Sequence, residues 1–183
     1  MTKVYLIHGW GGSPKSEPWF EWLEQELKKR GIKFEAFDMP DTDNPKIEAW
    51  VNYLRENIKE IEEDSYFVGH SIGCQTIMRF LEKMPKSEKI KGCVFVAGWF
   101  DLINLEEEEL EIAHPWINNK IDFDRVKKHT TNFLAIFSDN DPDISLNEVK
   151  KFEERLGAKI IIKKREKHFN DTKEIPEILR FIK

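Results

Sequence analysis

Nine residues, Ser65 to Gly73, constrain this chain more than any others: Ser-Tyr-Phe-Val-Gly-His-Ser-Ile-Gly. The run opens on strand-favouring residues and passes directly into Gly-x-Ser-x-Gly. Apolar side chains follow at Cys74, Ile77, Met78 and Leu81, which is helical spacing. A strand therefore has to turn sharply into a helix at Ser71, the context that a nucleophile elbow requires. Such a turn needs empty space beside it, and Gly69 and Gly73 bring no Cβ to fill that space. The helix starting behind Ser71 also directs unpaired N–H groups and its positive end toward the hydroxyl.

The rest of the chain repeats the same rhythm. Lys3 to Ile7 reads as a short buried strand, followed by the glycine-rich turn His8-Gly9-Trp10-Gly11-Gly12. A helix runs from Ser16 to Arg30 with Pro18 in its first turn and Gly31 as its stop. Lys33 to Phe37 forms a second strand. Asn44 and Pro45 open a long helix with apolar positions at Ile47, Trp50, Val51, Leu54, Ile58 and Ile61. The elbow strand and its helix come next, ended by Pro85, and Cys93 to Ala97 is a fourth strand. Residues 98–124 interrupt the alternation with an acidic run, Glu106 to Glu109 and Glu111, mixed with apolar residues. This segment reads as a small helical excursion over the strand ends, a candidate lid; its glutamates equally suit the solvated face of a helix. Phe133 to Phe137 is a strand, and Ser145 with Glu148 forms a capping box for a helix that stops at Gly157. Lys159 to Lys163 is the last strand, and a helix bearing Ile175, Ile178, Leu179 and Ile182 closes the chain.

About six strands alternating with helices predict an α/β fold in three layers, a parallel sheet with helices on both faces. Residues 1–183 read as one domain, with no repeat or linker to mark a second. The net charge of −5 and the lack of a basic cluster exclude a nucleic-acid surface. No apolar run approaches membrane-spanning length, and none resembles a leader, so the expected location is the cytoplasm. Cys74 and Cys93 sit among apolar neighbours as buried free thiols, neither disulfide nor metal site.

In a parallel sheet, ligands bind outside the carboxyl ends of the strands. Ser71, His8 to Gly12, Trp99, Asp101, Asp139 to Asp143 and His168 all follow strands, so they share one rim. Ser71 needs a base, because an unassisted hydroxyl is a poor nucleophile at neutral pH. The order serine, acid, histidine leaves His168 as that base, since only it lies beyond every acid of the fifth strand's loop. The acid comes from Ser138-Asp139-Asn140-Asp141-Pro142-Asp143. Asp141 leads because Pro142 biases it to an extended conformation; Asp139 and Asp143 follow, and Asp101 is a further alternative. An oxyanion hole needs two donors. The N–H of Ile72 is one, and the N–H of Trp10, or alternatively Gly11, supplies the second. Trp10, Trp99 and Trp116 are candidate walls of an apolar substrate pocket. The glycine turn lacks the spacing of a dinucleotide or phosphate loop.

With these residues placed, the chain resembles the small serine α/β-hydrolases typified by YdeN and retinoblastoma-binding protein 9. The matching pieces are Val-Tyr-Leu-Ile-His-Gly-Trp-Gly-Gly, Asp-Met-Pro, Val-Gly-His-Ser-Ile-Gly, Ser-Asp-Asn-Asp-Pro and Lys-His-Phe-Asn. They recur in that order over nearly the whole chain. The resemblance implies a reduced α/β-hydrolase sheet and a triad of Ser71, Asp141 and His168. It further implies hydrolysis of a small-molecule ester or peptide-like substrate with no cofactor or metal. No Leu-x-Cys-x-Glu occurs, so the pocket-protein binding known in that family is not carried over. A non-catalytic binding module on the same scaffold, or an acyltransferase using the same triad, are the alternatives.

Overall fold

The computed structural model describes residues 1–183. The elements run β1 (Lys3–Ile7), α1 (Pro18–Lys29), β2 (Lys33–Phe37), α2 (Ile47–Asn57), β3 (Ser65–His70), α3 (Ile72–Lys83) and β4 (Gly92–Val96). They continue with α4 (Glu107–Asn118), α5 (Phe123–Lys127), β5 (Phe133–Ser138), α6 (Asn147–Leu156), β6 (Lys159–Lys163) and α7 (Pro176–Phe181). Each strand lies within one residue of its sequence-based placement, because short apolar runs bounded by glycine, proline and aspartate leave little freedom of register.

All six strands are parallel, in the order β2-β1-β3-β4-β5-β6. The order reverses at β1, so a crevice opens between the carboxyl ends of β1 and β3. Helices cover both faces: α1 packs on α7, while α2, α3, α5 and α6 form a continuous row on the other side. Helix α3 lies centrally in that row and is buried from Ile72 to Leu81. One cluster of 47 buried hydrophobic residues runs between the layers, from Val4 on β1 to Ile182 after α7.

Two expectations need correction. Helix α2 stops at Asn57, with Ile58 already extended (φ −88°, ψ 95°), so the periodic pattern through Ile61 overstates its length. Ile58 nonetheless stays buried, which is why its spacing looks helical. No capping box forms between Ser145 and Glu148. Glu148 is instead drawn inside, where its Oε2 accepts the N–H of Phe100 at 2.6 Å and its Oε1 meets Lys151 Nζ at 2.5 Å. Ser145 Oγ accepts only the N–H of Asn147, at 3.2 Å. The reciprocal box occurs on α4, between Glu106 and Glu109. There the acidic run places carboxylates in the first turn, where the helix dipole favours them.

Candidate active site

Ser71 sits between β3 and α3 with φ 52° and ψ −121°, a conformation that an L-residue adopts only under constraint, at a cost of about 1–3 kcal/mol. The constraints are visible. The N–H of Ser71 donates to Val96 O on β4 at 2.9 Å, and Ser71 O accepts the N–H of Cys74 at 3.0 Å. A Cβ on Gly73 would stand 2.3 Å from Ile7 O, and one on Gly69 would stand 2.8 Å from Cys74 N. Both close approaches are to backbone, which cannot move aside. The motif's glycines thus permit α3 to back directly against β1.

His168 lies on the loop after β6, with left-handed residues on either side: Lys167 at φ 49° and Phe169 at φ 64°. The loop after β5 holds it there by a ladder of four successive side chains. Ser138 Oγ accepts from Glu166 N at 3.0 Å, Asp139 Oδ1 from Arg165 N at 2.8 Å, and Asn140 Oδ1 from Lys167 N at 2.9 Å. Asp141 completes the ladder, with Oδ2 at 2.9 Å from His168 Nδ1. Asp141 is itself fixed, since its Oδ1 accepts the N–H groups of Asp143 and Ile144. The other acids are separated by these contacts. Asp139 serves the ladder and Asp143 Oδ2 stands 3.9 Å from His168 Nδ1. Asp101 accepts its neighbour's N–H, from Leu102, and faces a different cavity. Sequence reasoning placed the aspartates but missed Ser138 and Asn140 as loop clamps; their adjacency to Asp139 and Asp141 was the only available signal.

Ser71 and His168 face one cleft of about 280 Å³, whose wall also includes Gly9, Trp10, Trp99, Leu102 and Leu105. Leu102, Leu105 and Glu109 come from the 98–124 excursion, part of which therefore lines the cleft. The indole of Trp99 donates to Ser71 Oγ at 3.3 Å. That contact occupies an oxygen lone pair and leaves the hydroxyl proton free to turn toward an acceptor. Trp116 stands apart. Its ring packs against Trp50, its Nε1 donates to Pro45 O at 2.9 Å, and it lines other cavities because α4 leads away from the cleft. Of the two candidate oxyanion donors in the glycine turn, Gly11 N–H is already spent on Thr42 O at 2.8 Å. Trp10 N–H has no acceptor within the protein, and Ile72 N–H, at the first position of α3, has none within its helix.

A second histidine was hidden inside the motif. His70 is buried, and its Nε2–H donates to the backbone carbonyl of His168 at 2.8 Å. Its Nδ1 stands 3.5 Å from Glu17 Oε1, a distance at which the interaction is electrostatic rather than a good hydrogen bond. Burial alone would raise the Glu17 carboxyl, but His70 and the Ser16 hydroxyl outweigh it and hold it below the usual range. Burial also raises Asp143, with Asp141 and Glu109 reinforcing it against the pull of His168. Glu17, Glu109 and Asp143 are the cleft's carboxylates, and no lysine or arginine lines it.

Asp141, Asp143 and His168 offer ligand atoms within 4.8 Å of one another, yet they fit a metal poorly. With its Nδ1–H donated to Asp141 Oδ2 at 2.9 Å, that ring nitrogen has no lone pair to offer an ion. Cys74 and Cys93 are buried and unpaired, and burial pushes both thiols up, away from the nucleophilic thiolate form.

Comparison with known proteins bears on the family and the fold. Residues 4–177 match the family model described as serine hydrolase. YdeN of Bacillus subtilis strain 168, a hydrolase by name, is 27% identical over 159 residues, 86% of this chain and 81% of its own length. The crystal structure of the ydeN gene product superposes with a TM-score of 0.88 at 23% identity, covering 98% of this chain and 96% of that one. Est1E from Butyrivibrio proteoclasticus superposes with a TM-score of 0.70 at 15% identity, covering 98% and 84%. At those identities the superpositions establish the fold, a reduced α/β-hydrolase.

Proposed function

The chain belongs to the serine hydrolase family, among the small members typified by YdeN, and from that premise we propose that it cleaves small carboxylic esters through an acyl-enzyme on Ser71. His168 is the general base and Asp141 the acid that orients it. The observation that carries this reading is the Asp141–His168 contact beside a strained Ser71 in the same cleft. With Nδ1–H donated to Asp141, the neutral imidazole offers its Nε2 lone pair to the hydroxyl.

In acylation, Ser71 Oγ forms a bond to the ester carbonyl carbon while its proton passes to His168 Nε2. The negative charge that develops on the carbonyl oxygen is met by the N–H groups of Ile72 and Trp10, donors that need no rearrangement during the reaction. The C–O bond to the alcohol then breaks, and the imidazolium returns its proton to the departing oxygen. Water repeats the sequence on the acyl-enzyme, releasing the carboxylic acid and restoring Ser71. A cleft of about 280 Å³ suits short acyl chains.

Two measurements test this. A fluorophosphonate should label the wild type and leave Ser71→Ala unlabelled; equal labelling of both would remove Ser71 from the chemistry. A series of p-nitrophenyl esters of increasing acyl length, run beside aminoacyl amides, should show the short esters turned over fastest. Faster turnover of the amides would reassign the substrate class while keeping the nucleophile.

A further inference from the structure

A cavity of about 480 Å³ opens on the far side of the Trp99–Asp101 segment from the catalytic cleft. Its floor holds Arg79 of α3, a residue only 4% exposed with no carboxylate within 4 Å. Arg79 Nη2 donates to Trp116 O, Asn119 O and Gln75 Oε1 at 2.9, 2.8 and 3.0 Å, and Nε donates to Gln75 Oε1 at 3.3 Å. The two carbonyl contacts explain part of the burial, because they cap the end of α4. They leave the positive charge uncompensated and Nη1 without an acceptor. Gln75 Nε2, fully buried in the same wall, also has no partner.

The remaining surroundings add positive charge. Arg155 lays its guanidinium over the rings of Phe100 and Phe123, 4.6 and 5.5 Å from their centres, and pairs with no carboxylate. Lys120 is likewise unpaired, whereas Lys151 is taken by Glu148. Asp101 is the cavity's one carboxylate. In a chain of net charge −5, three unpaired cations converge on one recess whose walls are part apolar and part polar.

We propose that this cavity is a binding site for a small organic oxyanion, its charged head on Arg79 and its apolar body against Phe100 and Phe123. Guanidinium groups suit such a head because their paired N–H donors match the oxygens of a carboxylate or phosphate. Burial lowers the Arg79 pKa to about 10, only weakly countered by Glu82, as expected of a buried cation that lacks a counterion. The site does not depend on the hydrolytic reading, since none of its residues belongs to the cleft.

The test is calorimetric titration with benzoate and with inorganic phosphate, against chloride at matched ionic strength. At least one anion should bind saturably below about 10 mM, with a matching rise in thermal midpoint. Arg155→Gln combined with Lys120→Gln, both at exposed positions, should weaken that binding about tenfold, while Ser71→Ala should leave it unchanged. No saturable binding of either anion, or a loss below about threefold in the double variant, overturns the proposal. Tighter binding of phosphate than of benzoate would overturn the part of the proposal that seats an apolar body on Phe100 and Phe123.

Discussion

The catalytic cleft and the basic cavity share a wall, the segment from Trp99 to Asp101, yet they are built in opposite ways. The cleft is assembled from loops at strand ends, and its geometry is set by clamped backbone: the Ser71 turn, and the ladder in which the short side chains of Ser138, Asp139 and Asn140 accept backbone N–H groups of residues 165–167. Its charged lining, histidines apart, is carboxylate. The cavity is assembled from α3, the end of α4 and α6, and its character comes from long side chains, chiefly Arg79 and Arg155. Backbone-built sites hold atoms in place to within a fraction of an ångström, which group transfer needs. Side-chain-built sites supply charge and tolerate small shifts, which is adequate for holding a ligand.

The strongest perturbation tests how far the cleft depends on one atom pair. Asp141→Asn should lower kcat/KM by about 10³–10⁴-fold, because the amide no longer holds the Nδ1–H tautomer of His168. Asp143→Asn, whose carboxylate stands 3.9 Å from the same nitrogen, should change it by less than about threefold. Similar losses in the two variants would show that summed negative charge matters rather than a specific contact, and the contrast with the cavity would collapse.

Next in size is the contribution of Arg79 to the fold. Arg79→Ala should cost about 2 kcal/mol in urea unfolding, since it strips the partners from Trp116 O and Asn119 O. Arg79→Lys should recover less than half, because a shorter side chain ending in a tetrahedral ammonium does not reproduce the reach of the planar guanidinium to Trp116 O and Asn119 O. An unchanged unfolding midpoint in Arg79→Ala would mean that the guanidinium adds nothing to stability, leaving ligand binding as its reason for burial.

The smallest effect is a dependence of stability on pH that arises in the turn after β1, beside the cleft. His8 is buried, its Nδ1–H donating to Gly9 O at 2.8 Å and its Nε2 accepting from Met39 N–H at 3.1 Å. A second ring proton would break the latter contact, and burial lowers the His8 pKa below its usual 6.5. The unfolded chain therefore binds the proton more readily than the native one. The contribution is fully present above pH 6.5 and is lost as pH falls from there toward the folded value. Glu17, held below its usual 4.5, acts in the same direction at lower pH. Stability should consequently decline on acidification from pH 7 to 5, and His8→Gln should flatten the upper part of that decline. A slope unchanged in His8→Gln would move the acid sensitivity out of the β1 turn.

Much of the fold could be read in advance because its signals are local. Each strand is a short apolar run closed by a turn residue, and the elbow sets Gly-x-Ser-x-Gly between strand-forming and helix-forming stretches. The extended bias that Pro142 gives Asp141 is equally local, and Asp141 indeed meets His168 Nδ1. Signals failed where a side chain had two uses. Glu148 fits a capping box in sequence, yet the buried N–H of Phe100 draws it inside, because a donor without a partner costs more there than a missing cap. Trp116 is one more apolar aromatic in sequence, and only the path of α4 takes it away from Ser71.

Local chemistry along the chain dictates the alternation of strands and helices, the strained serine and the order of the residues that surround it, since these depend on neighbours within a few positions. Tertiary structure alone decided which histidine nitrogen meets which carboxylate, that Trp99 reaches Ser71 and Trp116 does not, and that Arg79, Lys120 and Arg155 surround one recess. Those outcomes depend on how helices dock and which rotamers survive the packing, and residues far apart in the chain carry no local trace of their eventual neighbours.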